Sequence, residues 1–211
     1  DQGALPWPLL PAGECIRATA LGASEYSVQL SGNTSYISDP GALLPRRNLQ
    51  VLQPPFTFTE TVDAHALAQA IRAHRVLFDA EASDSEIALA FRWQGPPSYQ
   101  RIHAFAEGIA AALADKVSAR EPIYVMLDGD VAHTLGAILR EDCGVLSEIL
   151  VIDGVVLMDF DYIDLGRVRV PSYTVPVTIK SLVFSDDPKR TPERMHHHDH
   201  PHDHPHPHSH N

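Results

Sequence analysis

The stretch from residue 86 to residue 153 constrains the fold more than any other part of the chain. It alternates short apolar runs with segments of helical periodicity: EIALAFRW, then a stripe of Ile102, Phe105, Ala106, Ile109, Leu113 and Val117, then PIYVML, then Val131, Leu135, Ile138 and Leu139, then SEILVID. EIALAFRW alternates as a strand does and is stopped by QGPP, whereas PIYVML is apolar throughout, as in a strand buried on both faces. Ser98 and Asp130 stand where helix caps are expected. The order β-α-β-α-β predicts parallel strands joined by right-handed crossovers, hence an α/β sheet with helices against its faces.

The flanking segments read less sharply. Residues 62–80 carry Ala64, Leu67, Ala68, Ile71 and Phe78 at helical spacing behind Asp63, a predicted N-cap. ECIRATALGA and SEYSVQLSG read as two extended segments around Gly22, NTSYIS as a continuation of the second, and NLQVL as a short strand before Pro54 and Pro55. VVLMDFDYIDLGRVRVPS and TVPVTIKSLVF resume extended pieces. Residues 1–13, with three prolines and two glycines, form a linker-like lead. The expected domain spans 14–184. Residues 185–211 are too polar and proline-rich to bury anything, so a disordered tail is expected there.

Composition excludes several partners. A net charge of −11 argues against nucleic acid, which requires a basic surface. No apolar run reaches the roughly 20 residues of a membrane helix. Two cysteines, Cys15 and Cys143, make neither a disulfide framework nor a Cys-rich zinc site and suit a reducing cytosol. A start on DQGALPWPLL, without methionine, reads as part of a longer chain.

Four groups of residues invite a chemical reading. In VMLDGDVAHTL a buried strand delivers Asp128 and Asp130 to its carboxyl end, where open α/β sheets bind ligands. A D-x-D pair there can hold Mg²⁺ with one carboxylate as nucleophile, as in haloacid-dehalogenase-type phosphatases. Only about sixty residues follow before the tail, too few for that fold, and a helix cap preceded by a tight turn explains the pair more simply. Asp153, Asp159, Asp161 and Asp164, interleaved with Phe160, Tyr162 and Ile163, read as an edge strand with one wet face or as an interface. Their spacing is not that of an EF-hand. His65, His74, His103 and His133 sit in or beside predicted helices without partners at metal-ligand spacing. The fourth group is the carboxyl-terminal run of His196, His197, His198, His200, His202, His204, His206, His208 and His210, broken by Asp199, Asp203 and three prolines, unlike a purification tag. Neutral imidazoles at His-x-His spacing bind Ni²⁺, Co²⁺ or Zn²⁺, less well as pH falls through about 6.5. A metal-binding accessory protein working through this tail is therefore the chief alternative function, with a Mg²⁺-dependent phosphohydrolase behind it. The internal sequence holds no G-x-S-x-G, Walker or G-x-G-x-x-G motif.

Read together, IRATALGASEYSVQLSGNTSYIS, LPRRNLQVL, YVMLDGDVAHTLGAILRE, ILVIDGVVLMDFDYIDLG and VPVTIKSLVF resemble the carboxyl-terminal half of the ethanolamine ammonia-lyase reactivating factors, the EutA family. The similarity runs from about Glu14 to Phe184. It implies a mixed-sheet α/β portion of an actin/Hsp70-like (ribonuclease H-like) ATPase. It further implies a chaperone cycle in which ATP and Mg²⁺ drive release of damaged adenosylcobalamin from inactivated ethanolamine ammonia-lyase. Such a protein is expected in the cytoplasm, in association with an ethanolamine-utilising bacterial microcompartment. The phosphate and adenosine turns that the resemblance implies would lie before Asp1, so no nucleotide-contacting residue is carried onto this sequence. The histidine tail lies outside the family pattern.

Overall fold

A computed structural model describes residues 24–31, 35–78 and 86–182. The lead, the extended segment at 14–23, and the tail with all nine of its histidines lie outside the described residues.

The parallel heart forms as the periodicity predicts. Strand β3 (Arg46–Leu52) leads through helix α2 (Ala64–Leu77) to β4 (Ile87–Arg92). Helix α3 (Tyr99–Ala112) then leads to β5 (Ile123–Asp128), and α5 (Ala132–Glu141) to β6 (Ile149–Ile152). Neighbours in this run pair in parallel. Asp63 caps α2, its carboxylate accepting the amides of His65 at 2.9 Å and Ala66 at 3.0 Å. Ser98 holds the cap position of α3 without a side-chain bond. Asp130 falls one residue short of its expected role, because Val131 is the N-cap of α5. The stripe read as one helix through Val117 breaks at Leu113, and a separate turn of helix, α4 (Ala114–Ala119), ends at Arg120 in the left-handed region.

The antiparallel strands complete an eight-stranded sheet among the described residues. They are β1 (Ser24–Leu30), β2 (Tyr36–Ile37), β7 (Tyr162–Leu165) and β8 (Pro176–Leu182), and the order is β1-β8-β7-β3-β4-β5-β6-β2. NTSYIS thus does not extend β1. Tyr36 and Ile37 pair with β6 at the opposite edge of the sheet. Six residue steps from Leu30 to Tyr36 span at most about 22 Å, whereas seven inter-strand spacings of a flat sheet would need about 34 Å. The sheet must therefore curl until its edges approach.

Curling accounts for the two cores. Strands β3 to β6 advance in one direction, so right-handed crossovers place every intervening helix on one face. Helices α2, α3 and α5 accordingly bury Leu67, Ile71, Phe105, Ile109, Leu135 and Leu139 against Leu52, Leu89, Val125 and Val151. The crossover helices expected against the sheet's faces thus all pack on one of them. The concave face fills itself instead, with Leu49, Val51, Met126, Ile152, Ile163 and Ile179 converging from separate strands. The short helix α1 (Pro40–Leu43) supplies Leu43 to the same core. Strand β4 alternates in size rather than polarity: Ile87, Leu89 and Phe91 face the helices, while Ala88 and Ala90 fit the crowded inside of the curl.

Two ion pairs tie the periphery down and set an acid limit. Arg75 grips Asp115 through two nitrogens at 3.0 and 2.7 Å, and this hydrogen bonding holds the Asp115 carboxyl below the usual carboxylate range, although partial burial opposes it. For Asp164, burial pushes upward. The Lys180 ammonium at 2.7 Å, the Asn48 amide and the nearby Arg47 outweigh it and leave the pKa lowered. Depressed folded-state values stabilise the fold above the unfolded pKa of about 3.9 and lose that contribution as pH falls through the folded pKa. Urea titrations should therefore show stability declining below about pH 4, and an Arg75→Met/Lys180→Met variant should show a flatter decline from pH 7 to pH 3.

Candidate functional site

The carboxyl ends of parallel strands are where α/β sheets of this kind bind ligands. Here the ends of β3, β4 and β5 bring together the loop 53–59, the turn 93–96 and Asp128. A cavity of about 300 Å³ opens between them, lined by Gln53, Pro54, Pro55, Phe56, Phe58, Phe91, Arg92 and Gln94.

Its walls are largely aromatic. Phe58 packs against Phe56, Trp93 and Phe105 with ring centroids 5.0–5.4 Å apart, and Phe105 also meets Phe91 at 5.0 Å. From the first turn of α3, buried Arg101 binds the carbonyls of Pro96 (2.6 Å), Gln94 (2.7 Å) and Thr59 (2.9 Å) and lies 5.0 Å from the Trp93 ring centre. One guanidinium thus clamps both loops. Gly95 adopts φ +82°, and a side chain there would meet the Arg101 guanidinium at 2.9 Å, so both its backbone and the space require glycine. The cavity's charged group is Arg92, whose Nε is buried without a hydrogen-bond partner. A single guanidinium among amides and aromatic faces suits a small anionic or planar group.

Asp128 and Asp130 reach this edge, but both are exposed. Asp128 is the ladder partner of Arg92, and its carbonyl accepts the Trp93 amide at 3.0 Å. Among the described residues no group of three or more His, Cys, Asp or Glu side chains could hold a metal ion.

The second acidic group proves to be structural. Strand β7 is interior to the sheet, between β8 and β3, not an edge. Asp159 accepts the Gln53 amide at 2.7 Å and Nε2 of His74 at 2.8 Å. Asp164 accepts the Asn48 amide at 2.8 Å where β3 bulges against β7. Buried Asp161 accepts the Ser181 hydroxyl at 2.7 Å and the Met158 amide at 2.9 Å, while Asp153 is buried at the end of β6. Asp159, Asp161 and Asp164 staple the chain to its neighbours. Asp161→Ala leaves two donors without acceptors and should cost about 1–3 kcal/mol in urea unfolding.

The histidines separate in the same way. His74 is a satisfied core histidine packed at a tilt against Phe78, His65 bonds Gln69, His103 faces Glu107, and His133 contacts the Tyr36 ring. Sequence reading missed Arg92, Arg101 and the aromatic wall. The available signal was polar and aromatic residues just beyond two strand ends, in LQPPFTF and RWQGPP.

Comparison with known proteins decides the family. The family model for EutA, ethanolamine utilisation protein EutA, matches residues 5–185. The chain belongs to the EutA family. It is 32% identical over 171 residues to the ethanolamine ammonia-lyase reactivase EutA of Salmonella typhimurium, and 32% identical over 174 residues to that of Escherichia coli. Each match covers 81% of this chain and 34% of the relative, so the chain spans about a third of the length of these EutA proteins. No solved structure matches. The matched region encloses every element of the sheet and the cavity at its carboxyl edge.

Proposed function

We propose that this chain is the carboxyl-terminal part of a reactivase for ethanolamine ammonia-lyase, acting in ethanolamine utilisation. The observation that carries the reading is the 171-residue match to curated proteins bearing that name. In this reading ATP and Mg²⁺ drive the full-length protein, of actin/Hsp70-like build, through a cycle that remodels the ammonia-lyase and lets damaged cobalamin leave. Nucleotide state would change the affinity for the partner, as any such cycle requires. The setting would be the cytoplasm, in association with a microcompartment, and no helix among the described residues is long and apolar enough to cross a membrane.

Among the described residues Asp128 and Asp130 are exposed, and the cavity beside them is lined by one cation, Arg92. The reading therefore assigns nucleotide chemistry to the remaining two thirds of the family's length, and this third to scaffold and partner contacts. The isolated chain is expected to bind no ATP at micromolar concentration in calorimetry. Full-length protein with ATP and Mg²⁺ is expected to restore activity to cobalamin-inactivated ethanolamine ammonia-lyase. No recovery in that assay would overturn the reading. The histidine run is proposed as an accessory for Ni²⁺, Co²⁺ or Zn²⁺. Deleting residues 196–211 should abolish metal uptake and leave reactivation intact.

A further inference from the structure

We propose that the turn joining β7 to β8, with the hollow beside it, is a docking surface for a carboxylate-rich face of the ammonia-lyase. This rests on the reactivase reading above and names where the contact is made. The two strands are joined by ten residues, 166–175. Arg169 and Thr174 form an isolated bridge, the Arg169 amide donating to the Thr174 carbonyl at 2.8 Å. Residues 170–173 therefore project beyond the sheet. The Ser172 hydroxyl fixes the base of the turn, contacting Thr174 Oγ1 at 2.9 Å and the Arg169 carbonyl at 3.3 Å.

This pinned turn presents what a core-forming segment would hide. Val170 is 75% exposed and Tyr173 69% exposed, and Tyr173 holds φ +53°, a region bulky side chains rarely enter. Arg167 and Arg169 are exposed, and among the described residues neither has a carboxylate at ion-pair distance. Val168 between them packs on the concave core and anchors the strap. A hollow of about 400 Å³ lies alongside, lined by Pro40, Gly41, Leu44, Arg167 and Val168.

Charge selects the partner. In a chain of net charge −11, Arg167 and Arg169 form a local basic spot on the same turn as exposed Tyr173, and guanidiniums that have no carboxylate partner among the described residues attract carboxylates from a partner. Tyrosine and arginine are among the side chains that dominate protein–protein affinity, and guanidinium pairs carboxylate in bidentate geometry.

The test measures binding of purified ethanolamine ammonia-lyase to the 211-residue chain and to the full-length protein by interferometry. Arg167→Glu/Arg169→Glu and Tyr173→Ala should each weaken binding at least about tenfold with unchanged thermal melting. Arg167→Lys/Arg169→Lys should retain binding within about threefold, and wild-type affinity should fall with added salt. Undiminished binding by both disruptive variants would overturn the docking surface and leave the reactivase reading standing. No binding by either wild-type protein would overturn that reading, and this surface with it.

Discussion

Phe105→Ala is expected to lower the unfolding free energy by about 3–5 kcal/mol, a large share of the roughly 5–15 kcal/mol available to a domain. The ring is fully buried and is the common neighbour of Phe58, Phe91 and Trp93, with centroids 5.0–5.7 Å away. Phe91 belongs to a strand and Phe105 to a helix, so neither backbone can close the gap cheaply. The loop carrying Phe58 can move. A urea midpoint that drops at constant m-value would confirm a cavity cost. A loss below about 1 kcal/mol would mean that the Phe58 loop had collapsed into the space, erasing the cavity at the strand ends.

Arg101→Met separates stability from site architecture. Methionine keeps part of the stem but loses three carbonyl contacts and the cation beside Trp93. Hydrogen bonds to a charged group each carry about 1.5–3 kcal/mol, and the lost bonds are offset where the freed carbonyls reach water. The net cost should be about 2–4 kcal/mol. Hydrogen exchange gives the sharper readout. Amides near 57–60 and 93–95 should exchange faster, while those of β5 and β6 follow only the global loss. Uniform acceleration would refute a local clamp.

The parallel heart was legible because each of its elements buries a full stripe: IYVML and ILVI carry no charged interruption, and Asp63 caps as Ser, Thr, Asp and Asn usually do. What could not be read was anything set by long-range pairing. Tyr36 and Ile37 are two residues long and pair with β6 more than a hundred positions away, so no local pattern marks them. The aspartates of DFDYIDL alternate as a wet strand would, yet Asp161 bonds Ser181 and Asp164 bonds Lys180, partners that only the fold supplies. Alternation records which residues are polar, not whether water or a buried donor satisfies them. The aromatic wall was hidden for a related reason. Phe56, Phe58 and Trp93 lie in proline-rich loops, and their convergence depends on Arg101, whose charge in a helix gives no hint of burial. Family resemblance, by contrast, was carried by ordinary strand sequences and needed no site residue.

The first described strand pairs with the last: Ser24 lies opposite Leu182 in the ladder. Until β8 has emerged during synthesis, β1 has no partner and β7 has an open edge, so the sheet cannot be completed on a growing chain. Contacts so distant in sequence also slow folding and prolong exposure of unpaired edges. Expression yield should consequently depend on the carboxyl-terminal strand more steeply than its seven residues suggest. Chains truncated before Pro176 should accumulate as aggregates rather than as a smaller folded unit.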